Sequence, residues 1–127
     1  MYDKPIKFDY FEQMEEYIPS QEYELALRLR VILFSAVADA KERFSYNAPF
    51  YFRKKRFAYI WPGSIPFGNG SPNEVILGFI NGKAVASHFP EALFEHRKSV
   101  AIVRCSKKYF PNESTLIEML SYAALKA

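Results

Sequence analysis

Three carboxylates near the N-terminus have the spacing that best suits metal chemistry. Asp9, Glu12 and Glu16 fall at positions i, i+3 and i+7 of the segment 8–18, where apolar residues also recur at helical spacing. This spacing predicts one acidic stripe along a helix. Hard cations prefer oxygen ligands, and such a stripe can hold a divalent or ferrous ion weakly. The solvated face of an amphipathic helix carries the same pattern, so both interpretations stay open.

A second set of candidates is polar but not acidic. Tyr46, Asn47, Tyr51 and Arg97 supply hydroxyls, an amide and a guanidinium. These groups are typical of the polar end of an aromatic pocket, and we predict a ligand-binding site from them. The same groups also form structural hydrogen-bond networks, which is the alternative interpretation.

Catalytic patterns are absent from the sequence. His88 and His96, the two histidines, lie at no spacing that pairs them with a cysteine or carboxylate in a closed metal site. Cys105 ends an apolar segment, as a buried and inert thiol does. No Ser/His/Asp order, phosphate-binding loop or dinucleotide fingerprint is present. We therefore predict that the protein is not an enzyme.

Length and charge restrict the class of protein. The 127 residues are predicted to form a single domain, 1–127, and the net charge of +3 does not by itself imply nucleic acid. The basic residues 53–56 fit a phosphate contact or, as we expect, a solvated turn that protects a sheet edge. The single cysteine favours the reducing cytoplasm, and the lack of a long apolar segment predicts that the protein binds no membrane. The small net charge predicts no nucleic-acid partner.

The segment 42–61 is the most aromatic part of the chain and predicts a strand followed by a hairpin. In the simplest register Phe50 pairs with Tyr59 and Phe52 with Phe57. Side-chain alternation then puts the rings of these four residues and Trp61 on one face, which we expect helices to cover. A three-residue loop with a bulge would break this register.

The remaining patterns complete an α+β fold. We predict an antiparallel four- to five-stranded sheet with two N-terminal helices and one C-terminal helix packed on one face. The expected helices are 8–18, 20–40 and a C-terminal helix that is capped by Asn112 or Ser114. The further strands are 74–80 and 99–105, and the segment 85–89 is either a short strand or extended chain. A tight turn is expected at Asn81-Gly82, a helical turn at 90–95 and an irregular loop at 62–73, where Ile65 and Phe67 either pack or form an apolar tip.

A resemblance to a known family lies in the same aromatic segment. The pattern Glu42-x-x-x-Tyr46-x-x-Pro49-x-Tyr51, followed by a lysine-rich turn and an aromatic strand, resembles the YdhG-like family of domains of unknown function. The segment LGFING at 77–82 looks like the glycine-phenylalanine strand of that family, and RKSV at 97–100 looks like its arginine before the last strand. The resemblance covers roughly residues 8–125.

This resemblance implies a small bacterial cytoplasmic protein with an antiparallel sheet and flanking helices. Some members are described as frataxin-like iron chaperones with acidic residues on an N-terminal helix, which Asp9, Glu12 and Glu16 match in kind.

Three functions are therefore considered. The first is a non-enzymatic domain that binds a small molecule or a protein through the aromatic sheet, Tyr46, Arg97 and the loop 62–73. The second is an iron chaperone. The third is a homodimeric interaction module that associates through a second apolar stripe of the helix 20–40, formed by Leu27, Val31 and Phe34.

Overall fold

The computed structural model describes residues 7–92, 94–97 and 99–127, and leaves the side chains of His96 and Arg97 outside the description. A 3₁₀ helix precedes three α-helices and six strands. Their bounds are Phe11–Glu16 for the 3₁₀ helix, Ser20–Ala36 (α1), Gly82–His88 (α2) and Glu113–Lys126 (α3), and Lys41–Ser45 (β1), Ala48–Phe52 (β2), Arg56–Pro62 (β3), Val75–Phe79 (β4), Glu95–Arg97 (β5) and Val100–Cys105 (β6).

The strands form one antiparallel sheet with helices packed on it. The strand order is β1-β2-β3-β4-β6-β5, and every neighbouring pair is antiparallel. α1 and α3 contact each other and β3, while α2 contacts β6 and α3. The predicted α+β class is confirmed. The short edge strand β5, which was not predicted, brings the sheet to six strands.

The helices cover the face opposite to the one predicted. Tyr51, Ala58 and Ile60 are fully buried, and the Tyr51 ring meets the Phe34 ring of α1 edge-on at 5.8 Å. Because side chains alternate along a strand, Phe50 of β2 points to the other face. The prediction was wrong because it took ring content as the mark of the core. The smaller side chains of β3 are the ones that let the helices approach.

The hairpin between β2 and β3 has a bulge. Phe50 pairs with Tyr59 as predicted, but Phe52 pairs with Arg56 rather than Phe57, and the register shifts after Tyr51. The turn has three residues, 53–55, and the Arg53 amide donates to the Lys55 carbonyl at 3.2 Å. A two-residue primed turn needs positive φ at both positions, which lysine does not favour.

The segment Gly82–His88 is helical, whereas a tight turn at Asn81-Gly82 and a strand or extended chain over 85–89 were predicted. Gly82 begins α2 rather than completing a tight turn. A Cβ on Gly82 would lie 2.2 Å from the Ala101 amide nitrogen, so the helix begins in direct contact with β6. Val85, one helical turn on, is fully buried. The tertiary contact with β6 therefore overrides the turn signal of Asn81-Gly82.

The irregular segment 62–73 is tied to α1 by one buried carboxylate. Glu22 has no exposed surface, and it accepts hydrogen bonds from the Ser64 amide at 2.8 Å and the Asn73 amide at 3.0 Å. The Ser64 hydroxyl donates to the same carboxylate. Both ends of the loop are thus held by a single side chain, which sets its position beside the sheet.

Candidate functional site

The face of the sheet without helices carries a continuous layer of aromatic rings. We call it the aromatic face and define it by Tyr46, Phe50, Phe52, Tyr59 and Trp61. The Phe50 and Tyr59 rings lie 5.2 Å apart, and both meet the Trp61 ring edge-on, at 6.1 and 5.8 Å. Phe50 and Trp61 retain only 5% and 7% of their exposed surface. The rings bury one another, so this face needs no covering helix.

Two arginines lie on top of these rings. The Arg56 guanidinium is 4.6 Å from the Phe50 ring centroid, and the Arg43 guanidinium is 5.5 Å from that of Phe52. Both arginines are exposed, and neither has a carboxylate of the described residues within ion-pair distance. The aromatic face therefore combines planar apolar rings with positive charge that is not neutralised locally.

A glycine opposite Tyr59 makes room for its ring. Tyr59 pairs with Gly78 of β4, and a Cβ on Gly78 would lie 2.1 Å from the Tyr59 ring. Gly78 belongs to the segment that resembles the glycine-phenylalanine strand of the YdhG-like family. The absence of a side chain here allows the Tyr59 ring to lie flat over the sheet.

Tyr46 occupies a strained position at one end of the aromatic face. Tyr46 and Asn47 join β1 to β2 with φ values of 56° and 64°, the combination of a type I′ turn. Asparagine tolerates this conformation, but tyrosine does not. The Tyr46 ring is 72% exposed and stacks on Trp61 at a centroid distance of 6.5 Å. An exposed ring is thus held in place at a conformational cost.

Phe67 repeats this arrangement from the loop 62–73. Its φ is 76°, and its side chain is 87% exposed. The next residue, Gly68, lies so close to Trp61 that a Cβ on it would be 2.3 Å from the indole ring, while the indole Nε1 donates to the Ile65 carbonyl at 3.0 Å. Of the two alternatives for this loop, Ile65 packs in the core and Phe67 is the exposed apolar tip. Tyr46 therefore stacks on Trp61, and Phe67 directly precedes the residue that packs against the indole ring.

Relief of strain at Phe67 should stabilise the protein. Because asparagine tolerates φ near 76° and the Phe67 side chain is almost fully exposed, Phe67→Asn should raise the free energy of unfolding by about 1 kcal/mol. Urea unfolding followed by circular dichroism measures this difference. Tyr109→Asn is the matched control, since Tyr109 is also exposed but has no positive φ, and it should bring no gain. A loss of stability in Phe67→Asn would show that Phe67 supports the fold instead.

Tyr51 lies on the other side of the sheet, in a network with α1. Its hydroxyl donates to Glu42 Oε2 at 2.7 Å, and the Arg30 guanidinium donates to both Glu42 oxygens at 2.7 and 2.9 Å. Burial, and next the Glu42 carboxylate, raise the pKa of Tyr51 well above its usual value. Glu42 and Tyr51, two residues of the YdhG-like pattern, thus attach the β1–β2 hairpin to α1.

The four predicted ligand-binding residues do not form one pocket. Tyr46 is on the aromatic face, whereas Tyr51 is buried beneath the helices. Asn47 accepts a hydrogen bond from the Phe8 amide at 2.9 Å and so fastens the N-terminal segment to the β1–β2 turn. Arg97 pairs with Val100 at the edge of the sheet, and its side chain lies outside the described residues. Among these four, Tyr46 alone is placed on the surface that we consider below.

The predicted acidic stripe is distributed over separate contacts. The segment forms a 3₁₀ helix instead of an α-helix, Glu12 lies 3.6 Å from Arg30, and Asp9 lies 4.0 Å from Lys7. Within residues 7–92, 94–97 and 99–127, no three His, Cys, Asp or Glu side chains are close enough to hold a metal ion together. Asp9, Glu12 and Glu16 therefore do not make a shared site in this conformation.

Sequence patterns missed Arg43 as a member of the site. Phe67 was included only as part of the loop 62–73, and Arg56 only as part of the basic turn 53–56. Arg43 had no signal of its own, because its role depends on which face of the sheet the helices leave open. Leu27 and Val31, proposed as a dimer stripe, are 38% and 61% exposed, while Phe34 packs against Tyr51.

The buried thiol makes stability dependent on alkaline pH. Burial raises the pKa of Cys105 to about 12 from its usual 9.0. An unfolded chain loses this proton at lower pH than the folded chain, so stability is intact below about pH 9 and falls as the pH rises toward 12. We expect urea unfolding to show this loss, with a smaller fall in Cys105→Ala. Equal pH dependence in both proteins would contradict the assignment to Cys105.

Comparisons with known proteins do not identify a family for this chain. No protein-family model, curated protein or solved structure matches it. No helix in the described part of the chain is both long and apolar enough to cross a membrane.

Proposed function

We propose that this protein is a non-enzymatic cytoplasmic binding domain of the YdhG-like type, and that the aromatic face is its binding surface. The observation that carries the proposal is a pair of exposed rings held at positive φ: Tyr46, which stacks on Trp61, and Phe67, which precedes the residue packed on Trp61. Strained residues persist where the surrounding structure over-determines them, and they cluster at functional sites. Neither backbone position requires an aromatic residue, since asparagine adopts positive φ at lower cost, whereas contact with a ligand or partner gives a reason for a ring at both.

Chemical character supports the same surface. Exposed aromatic side chains and arginine dominate binding energy where proteins meet their partners. On the aromatic face these types occur together, because Arg43 and Arg56 lie over the rings of Phe52 and Phe50. The rings are also mutually packed, so little conformational entropy is lost when a partner binds.

The residues behind the family resemblance fit a supporting role for this surface. The Glu42–Tyr51 hydrogen bond holds the hairpin on α1, and Gly78 leaves space for the Tyr59 ring. Neither needs to touch a ligand, since each acts by placing the aromatic face. This supports membership of the YdhG-like family as part of the proposal.

Trp61 provides a direct test, because it is the single tryptophan of the chain. We expect its fluorescence to change when the protein is titrated with one of the nucleic-acid, protein or small-molecule fractions of a cell extract. The double variant Tyr46→Ser/Phe67→Ser should need at least about tenfold more of that fraction to reach half of the fluorescence change, as expected when one binding hot spot is lost.

A matched control removes apolar surface elsewhere. Leu27→Ser/Val31→Ser changes two exposed apolar residues on α1, at a distance from the rings. This variant should respond like the wild type. If it loses the response and Tyr46→Ser/Phe67→Ser keeps it, the binding surface lies on α1 and the proposal is wrong.

A further inference from the structure

Positive charge on the aromatic face is concentrated toward β1 and the β2–β3 turn. Lys41 and Arg43 of β1 pair with Phe52 and Phe50 in the sheet, so their side chains share the face of those rings. Arg56 of β3 lies over the same two rings. Three cations thus border the rings at one end of the sheet.

Within the described residues, no carboxylate forms an ion pair with Arg43 or Arg56. Arg28, Arg30, Arg53 and Arg104 each have a carboxylate within 4.0 Å, by contrast with Arg43 and Arg56. The exposed Lys54 and Lys55 of the adjoining turn also have no ion pair among the described residues. An anionic partner would therefore meet arginines here that have no carboxylate to be displaced, unlike Arg28, Arg30, Arg53 and Arg104.

Rings and cations alternate over a distance suited to a chain-like ligand. The strand β2 runs for about 13 Å at about 3.3 Å per residue, from the turn that carries Tyr46 to Phe52. The exposed Tyr46 ring stands at one end, beside Trp61, and unpaired cations stand at the other. A ligand that fits must carry several flat groups and several negative charges along one flexible backbone.

We propose that the aromatic face binds single-stranded nucleic acid with little sequence preference, which rests on the function proposed above. Bases stack on exposed rings at Tyr46 and Phe67, and phosphates lie against Arg43, Arg56 and the lysines of the turn. Base–aromatic stacking tolerates any base, and a basic groove or surface follows the backbone. From the net charge of +3 we predicted no nucleic-acid partner, but a single strand would contact the local arrangement of rings and cations rather than respond to the total charge.

Other occupants meet this surface less well. A duplex keeps its bases stacked inside, where the rings cannot reach them. An acidic peptide supplies charge without the flat groups that Tyr46 and Phe67 would hold. A second copy of the chain would bring the same basic surface against itself, which is electrostatically unfavourable.

The test titrates the protein with a single-stranded oligothymidylate of about ten nucleotides, a length within the range that one binding domain covers. Trp61 fluorescence and the anisotropy of a labelled oligonucleotide follow binding at several salt concentrations. With about four phosphates neutralised, by Arg43, Arg56, Lys54 and Lys55, the logarithm of the affinity should fall with the logarithm of salt at a slope near −3.

Two pairs of substitutions separate stacking from charge. Arg43→Gln/Arg56→Gln should weaken binding at low salt by about tenfold or more and flatten the slope by about 1.4, since each phosphate contact contributes about 0.7. Tyr46→Ser/Phe67→Ser should weaken binding at least about tenfold and leave the slope unchanged. Arg28→Gln/Lys126→Gln removes two cations from the helices. It should change affinity less than twofold, because neither cation is expected to contact a phosphate.

Several results would overturn this inference. The protein would then fail to bind the oligonucleotide at low salt, or would bind the matching duplex or polyglutamate equally well. An equal loss of affinity in Arg28→Gln/Lys126→Gln would also contradict it, as would self-association of the protein through the aromatic face in sedimentation. If oligonucleotides fail while a protein or small-molecule fraction still gives a response that depends on Tyr46 and Phe67, this inference falls and the proposed function stands. If that response is also absent, this inference and the proposed function are both wrong.

Discussion

Replacing Glu42 by alanine should lower the free energy of unfolding by about 3 kcal/mol. The Glu42 carboxylate accepts hydrogen bonds from Arg30 and from Tyr51, and its side chain is 13% exposed. Its removal leaves the fully buried Tyr51 hydroxyl without an acceptor and leaves Arg30 with the more distant Glu12 at 3.6 Å. The loss is large because the network joins α1 to the hairpin, and an unpaired buried polar group costs more than a hydrogen bond gains.

Urea unfolding of a double-mutant cycle measures this network. Glu42→Gln and Tyr51→Phe should each destabilise by less than Glu42→Ala, and their effects should not add, because both act on the same hydrogen bond. Glu118→Ala, on the exposed surface of α3, is the control and should change stability by less than about 0.5 kcal/mol. Additive effects of the Glu42 and Tyr51 substitutions would contradict the direct coupling.

Replacing Glu22 by alanine should lower stability by about 2–4 kcal/mol and release the loop 62–73. Glu22 is completely buried, and its carboxylate takes three donors from Ser64 and Asn73. Without it, two backbone amides and a hydroxyl lose their acceptor. Since this loop carries Phe67 and brings Gly68 onto Trp61, the substitution should also weaken binding at the aromatic face.

Hydrogen exchange separates this effect from general destabilisation. In Glu22→Ala, amides of residues 63–73 should exchange much faster than in the wild type under conditions where β4 and β6 remain protected. Glu24→Ala is the matched control, because Glu24 is exposed on the same helix two residues later. Unchanged exchange in the loop of Glu22→Ala would show that other contacts hold it.

Local patterns were sufficient for the elements whose signals agree with their surroundings. The Asn112 side chain caps α3 by accepting from the Thr115 amide, one of the two predicted alternatives. The apolar segment before Cys105 is β6 in the interior of the sheet, as its continuous hydrophobicity indicated. In both places the deciding interactions lie within a few residues of the chain.

The faces of the sheet could not be predicted in the same way. Alternation correctly separates Phe50 from Tyr51, but only tertiary packing decides which of them lies beneath α1. Tyr51 goes inward because Glu42 accepts a hydrogen bond from its hydroxyl there, and Arg30 in turn holds Glu42. The binding surface depends on this choice, and therefore a pattern based on side-chain type alone missed it.

The central claim is that the helix-free face of the sheet is the binding surface, and hydrogen exchange with mass spectrometry tests it most directly. The protein is compared with and without the extract fraction that changes Trp61 fluorescence. We predict slower exchange in the β1–β2 turn, along β1 and in the loop 62–73, with α1 and α3 unchanged. Protection confined to α1, α3 or the N-terminal 3₁₀ helix would contradict the claim.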